Sequence, residues 1–149
     1  MAEDTSDSLS NSPSPETSRR RSREQAQLDF EVEFFGRLLD RDPFYPNVLR
    51  AQANCLAAKG LTTRALQLDH RLVRLEPERP VPWYNLACSY ASLGMIEPAF
   101  SALQRSVELG YRHWRHMRRD PDLLPLRSDP RFIRLVHKTM CNDPRSFQV

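Results

Sequence analysis

A shift of 34 residues brings one stretch of this chain into register with another, laying residues 46–79 over residues 80–113. Pro46 then meets Pro80, Ala53 meets Ala87, Ala57 meets Ala91 and Gly60 meets Gly94. Further along, Ala65 meets Ala99, Arg71 meets Arg105, Val73 meets Val107 and Leu75 meets Leu109. Other pairs keep only their apolar character: Leu49 with Trp83, Leu56 with Tyr90, Leu66 with Phe100. A frame set down twice commits the chain to building one supersecondary unit twice. A unit of this size cannot bury its apolar face alone, so the copies must stack.

Each unit divides into two helices. In residues 80–94, Trp83, Leu86, Ala87 and Tyr90 follow the i, i+3, i+4, i+7 spacing of one buried stripe. The two aromatics of that stripe are expected to be largely buried. Pro80 and Pro82 fall in the first turn, where a missing amide costs nothing, and Gly94 permits the left-handed residue that ends a helix. A second helix is expected from about Ile96 to Leu109, burying Ala99, Phe100, Leu103 and Val107. Small residues at Ala87 and Ala99 let the paired helices approach closely, while Trp83 and Tyr90 fill the space beside them.

Trp83, Leu86, Ala87, Tyr90, Gly94, Ala99 and Leu103 stand where the tetratricopeptide repeat pattern wants them, and the chain resembles that family over residues 46–113. The earlier unit keeps Ala53, Gly60, Ala65 and Leu75-Glu76-Pro77, but places Gln52 and Asp69 where the family prefers apolar residues. The resemblance implies an all-α fold: a short right-handed superhelix of stacked helix-turn-helix units with flanking capping helices. It also implies a concave surface, lined by the first helix of each unit, that holds a peptide or partner helix.

Two units seldom suffice for a continuous core, so the flanks are expected to complete it. Residues 24–43 place Leu28, Val32, Phe35 and Leu38 or Leu39 along one helical face, as in the second helix of a degenerate earlier unit. Residues 1–23 are Ser-, Pro- and acid-rich and end in an arginine run; they read as a disordered polar tail. After residue 113 the pattern gives a truncated repeat and a C-terminal cap through residue 140. Asp120-Pro121 and Asp129-Pro130 mark two helix starts there, and residues 141–149 read as flexible. This closing segment resembles that of many bacterial tetratricopeptide proteins.

The sequence lacks the glycine-rich phosphate loops, nucleophile elbow and zinc-protease motif that announce common catalytic chemistry. His113 and His116 are three apart, but neighbouring arginines would repel a cation, so no metal, cofactor or enzymatic activity is expected. Cys55, Cys88 and Cys141 are widely spaced, which suits a reducing cytoplasm better than a disulfide framework. No apolar run approaches the roughly 20 residues of a membrane span, and no membrane association is expected.

The expected function is therefore a non-catalytic protein-interaction scaffold. Its groove should be lined by Asn47, Arg50, Asn54, Val81, Tyr84, Asn85, Cys88, Ser92, Arg115 and Arg119. Arg50, Asn54, Asn85, Arg115 and Arg119 are similar in pattern to the carboxylate clamp of co-chaperone tetratricopeptide domains. That similarity implies an acidic C-terminus as one ligand, gripped by guanidinium forks. Two other expectations stand beside it. The basic segment YRHWRHMRR at residues 111–119, with Tyr111 and Trp114 as stacking platforms, could contact nucleic acid. The outer face could instead dock the chain as a structural subunit of a larger assembly.

Overall fold

The computed structural model describes residues 14–143. Seven α-helices and one 3-10 helix follow one another among them, with no strand: α1 Pro15–Arg41, α2 Pro46–Ala58, α3 Thr62–Leu75, α4 Pro80–Ser92, α5 Ile96–Glu108, α6 Trp114–Arg119, the 3-10 helix Pro121–Leu126, and α7 Pro130–Cys141. The fold is all-helical and superhelical. α2 pairs with α3 and α4 with α5 as two hairpins; α3 packs on α4 to join them, α1 covers α2, and α7 covers α5 and α6.

The punctuation of the two hairpins repeats atom for atom. Gly60 and Gly94 have φ of 75° and 73°. In the first unit Gly60 N–H donates to the Ala57 carbonyl at 2.8 Å and Leu61 N–H to Leu56 at 2.9 Å. In the second, Gly94 N–H donates to Ala91 and Met95 N–H to Tyr90, both at 2.9 Å. These paired bonds satisfy carbonyls that a helix end leaves orphaned, and they require the left-handed residue that glycine adopts without penalty. Pro46 and Pro80 open α2 and α4 in the first turn.

Close approach follows from the small residues. Ala65, Ala87, Ala91 and Ala99 are wholly buried, alongside Leu49, Leu72 and Leu103. Apolar packing runs from Val73 through α4 and α5 to Met117, Leu123, Leu126, Phe132 and Val136, so the closing segment shares the main core. A smaller cluster holds Leu39 of α1 against Val48, Leu49 and Leu72. Arg131 fastens α7 by lying over the Phe100 ring at 4.1 Å while both its terminal nitrogens reach Glu97 at 2.8 Å.

Several expectations change. Trp83 and Tyr90 are half-buried rather than buried. Each has a polar group that must be met at the seam between units: Trp83 Nε1–H donates to the Pro77 carbonyl at 2.9 Å, and the Tyr90 hydroxyl meets His70 Nε2 at 2.9 Å. The polar tail does not run to residue 23, because α1 starts at Pro15, with Ser14 Oγ accepting from Thr17 N–H. Its exposed turns are rich in helix formers and carry i, i+4 pairs such as Arg20–Glu24 and Gln27–Glu31, each weakly favourable in water. Residues 1–13 lie outside the described residues, as do residues 144–149 of the segment read as flexible. Of its other members, Cys141 ends α7 and Asp143 is buried.

Gln52 and Asp69, the two departures from an apolar pattern, are both buried. Gln52 Nε2–H reaches the Val32 carbonyl at 3.4 Å, linking α2 to α1. Asp69 Oδ2 accepts from the Ser89 hydroxyl at 2.6 Å, linking α3 to α4 across the seam between units. Burial raises the Asp69 carboxyl to about 6, against the opposing pull of the Ser89 hydrogen bond.

This packing can be tested at two positions. A Cβ added at Gly94 meets no neighbour within 4 Å, so Gly94→Ala carries only the left-handed penalty, roughly 1–2 kcal/mol. Denaturant melts should show the midpoint falling with an unchanged slope; an unaltered midpoint would refute the capping account. For Asp69 the sign comes from its raised value. The folded chain holds this proton more tightly than the unfolded one, whose carboxyl titrates near 3.8. The stabilisation is complete below that pH and is lost as pH rises through about 6. Asp69→Asn should therefore gain on the wild type between pH 4 and 7, by on the order of 3 kcal/mol. A melting-temperature difference independent of pH would show that the buried carboxyl carries no such linkage.

Candidate peptide-binding cleft

The first helices of the two units, α2 and α4, turn small or polar residues toward a shared recess. Ala53, Asn54 and Ala57 from α2, Tyr84, Asn85, Cys88 and Ser89 from α4, and Asp69 from α3 line a cleft of about 280 Å³. Its far wall is His116 of α6 with Asp120 and Asp122, where the chain leaves α6 for the 3-10 helix.

Asp120 organises that wall. It is buried, and its Oδ2 accepts from the Tyr84 hydroxyl at 2.7 Å and from the Cys88 thiol at 3.7 Å, with His116 Nε2 at 3.2 Å. Its Oδ1 accepts from Asp122 N–H at 3.1 Å, capping the 3-10 helix, and its backbone carbonyl accepts from Arg127 at 2.9 Å. Tyr84 is fixed from behind by Tyr111, whose ring stacks on it with centroids 4.3 Å apart and planes 6° from parallel. Burial first, then neighbouring groups including Cys88 and Asp120, push the Tyr84 phenol far above its ordinary range.

Burial, and then the charges of Asp120 and Asp122, likewise keep the Cys88 thiol protonated. Cys55 is pushed up to about 11 by burial and by donating to Glu31 at 3.2 Å. Thiols held protonated are poor nucleophiles and poor metal ligands. Cys88 Sγ and the carboxylates of Asp120 and Asp122 do lie within 4.8 Å of one another. Both Asp120 oxygens already accept from protein donors, however, so the trio serves as a hydrogen-bonded join.

Of the residues expected in the groove, Asn54, Tyr84, Asn85 and Cys88 line this cleft, with Tyr84 and Cys88 as buried wall. Ser92 is exposed and does not line the cleft; its side chain hydrogen-bonds the Asp122 carboxyl beside it. Arg50 is engaged elsewhere, donating to Glu76 at 2.7 Å and to Asn47 at 3.1 Å. Val81, at the start of α4, is exposed and outside the cleft. Arg115 and Arg119 line a separate hollow of about 200 Å³ with Trp114 and Arg118. The five residues of the clamp pattern thus do not share one concavity. The third unit's first helix is only six residues long, Trp114–Arg119, and a 34-residue register cannot be carried through so short an element.

The basic segment is likewise rearranged: Tyr111 is buried against Tyr84, and the Trp114 ring is covered by Arg115 at 5.0 Å. A larger hollow, about 460 Å³, opens at the C-terminal end between α6 and α7, lined by Trp114, Arg118, Ile133, His137, Met140 and their neighbours. It contains none of the expected groove residues. Sequence reasoning missed Asp69, Ser89, His116, Asp120 and Asp122 as cleft residues. Asp69 left one trace, as a carboxylate in a pattern that wants an apolar side chain; Asp120 read only as a helix cap.

No family model matches the sequence. The chain is similar to a chloroplastic protein of Arabidopsis thaliana, at 38% identity over 59 residues, which is 40% of this chain and 18% of that protein. It is similar to the Cell division cycle protein 16 homolog of Mus musculus, at 32% over 57 residues, 38% of this chain and 9% of the other. A third relative is the Anaphase-promoting complex subunit CDC16 of Saccharomyces cerevisiae, at 29% over 75 residues, 50% of this chain and 9% of the other. The matched segment thus spans less than a fifth of each relative's length. Among solved structures, the crystal structure of MamA superposes with a TM-score of 0.66 at 18% identity, covering 83% of this chain and 73% of that one. A second structure of MamA protein gives 0.65, also at 18%, over 84% and 69%. At that identity the likeness is one of fold. No helix among the described residues is long and apolar enough to cross a membrane. The repeated frame, the paired helices with their matching glycine ends, and these likenesses of fold are consistent with the resemblance to tetratricopeptide repeats carried by residues 46–113.

Proposed function

We propose that this chain is a non-catalytic protein-interaction module that holds an extended segment of a partner protein on its concave face. The observation that carries this reading is the cleft itself. Two first helices and the closing segment surround a recess that presents Asn54 and Asn85, whose amides can both donate to and accept from a peptide backbone. Side chains that could do chemistry there, Tyr84 and Cys88, are buried and held protonated. The relatives agree with such a role in one respect: one of them is, by name, a subunit of a larger complex. A cytoplasmic location belongs to the same proposal.

The carboxylate-clamp reading loses support, because Arg50 is paired with Glu76 and the other two arginines face a different hollow. The nucleic-acid reading keeps the arginines of residues 111–119 but loses Tyr111 as a stacking platform. A concave interaction surface remains the better account.

Asn54 is exposed and Asn85 half-exposed, so a bulky side chain at either can fill the cleft without entering the core. We expect proteins captured from native lysate by the wild type to be lost on Asn54→Trp or Asn85→Trp, while both variants keep the wild-type circular dichroism spectrum and melting temperature. Undiminished capture by both folded variants would move the binding surface away from the cleft and favour the outer face.

A further inference from the structure

We infer that the cleft receives a lysine or arginine side chain carried by a basic segment of the partner, seated among Asp69, Asp120 and Asp122. This rests on the concave-face reading above and adds the chemistry of the ligand. The first observation is one of charge. The chain carries 22 Lys and Arg against 19 Asp and Glu, a net charge of +3. Yet three carboxylates and neither lysine nor arginine line the cleft. His116 is the one basic side chain there, and it lies against Asp120 at 3.2 Å on an exposed edge, where an entering cation can displace it.

The second observation is independent of that count. Asp69 comes from α3, is 3% exposed and lines the cleft, and its Oδ1 has no hydrogen-bond partner among the described residues, although Oδ2 is met by Ser89. A buried carboxylate oxygen left unmet costs free energy that an incoming N–H donor recovers. Asp122 offers a further acceptor at the mouth. It is exposed, tethered by Ser92, and its carboxyl is raised by burial and then by the charge of Asp120, a repulsion that a cation between them would relieve. Ammonium and guanidinium groups supply only donors, three and five respectively, which suits a recess rich in acceptors. An acidic segment would meet three like charges instead.

The test selects dodecapeptides from a random display library on the immobilised full chain, then titrates the strongest selected peptide against wild type, Asp122→Asn and Asp69→Asn by fluorescence anisotropy. One position of the selected peptides should be fixed as Lys or Arg. Replacing it with glutamine, or introducing Asp122→Asn, should weaken binding roughly tenfold, the size of one charge-assisted hydrogen bond. Affinity should fall as salt is raised. Asp69→Asn, which keeps an acceptor for Ser89 but removes the charge, should also weaken binding in a protein with unchanged helicity. Peptides that are blocked by Asn85→Trp yet have no basic anchor, or that bind both aspartate variants like the wild type, would overturn this inference and leave the cleft as a binding surface. Peptides indifferent to Asn85→Trp would overturn the concave-face reading itself. If sedimentation showed the wild type associating with its own copies and Asn85→Trp abolished this, the exposed arginines of α1 in a second copy would be the occupant. The assignment to a separate partner would then fall.

Discussion

Asp120 sits where the six-residue helix α6 gives way to a 3-10 turn, and a carboxylate buried there must be surrounded by donors or lose its charge. The donors are the phenol and thiol of α4 and the amide of Asp122, with the ring of His116 lying against the same carboxylate. The fixed carboxylate therefore ties the last complete repeat to the segment that closes the stack. It also sets the far wall of the cleft. Tyr84 is held between Tyr111 and Asp120, which fixes the wall that α4 gives the cleft.

The seam between the two hairpins is built differently. Polar pairs join it alongside the apolar packing: the buried pair of Asp69 with Ser89, then His70 with Tyr90, and Trp83 with the Pro77 carbonyl. Such bonds contribute modestly to net stability but are costly to leave unmade, so they define register more than strength. Curvature is what turns a row of first helices into a cleft.

Much of this is legible in the sequence. The 34-residue shift, the i, i+3, i+4, i+7 stripe and the matching glycines point to two helix pairs because each reports local backbone geometry, with a period and a stop signal that neighbouring residues alone define. The Asp-Pro steps at Asp120 and Asp129 mark their helix starts for the same reason: a capping carboxylate acts within its own turn. The helical character of residues 15–23 was masked because polar composition and exposed i, i+4 pairing look alike in sequence.

The lining of the cleft depended on tertiary structure. Asp69, 51 residues before Asp120, shares a recess with it only because α3, α4 and the closing segment curve around one concavity. Extrapolating the repeat placed Arg115 and Arg119 beside Asn54 and Asn85, but the short α6 breaks the period and leaves them in another hollow. In the same way Arg50, on the expected face of α2, is taken by Glu76 from the end of α3, a partner 26 residues distant. Which helices form, and that they stack, is written in the residues themselves, since propensity, period and capping act over a few residues. The tertiary structure decided which charges meet, because a charge is satisfied by whatever lies within a few ångströms of it, and distance along the chain does not measure that.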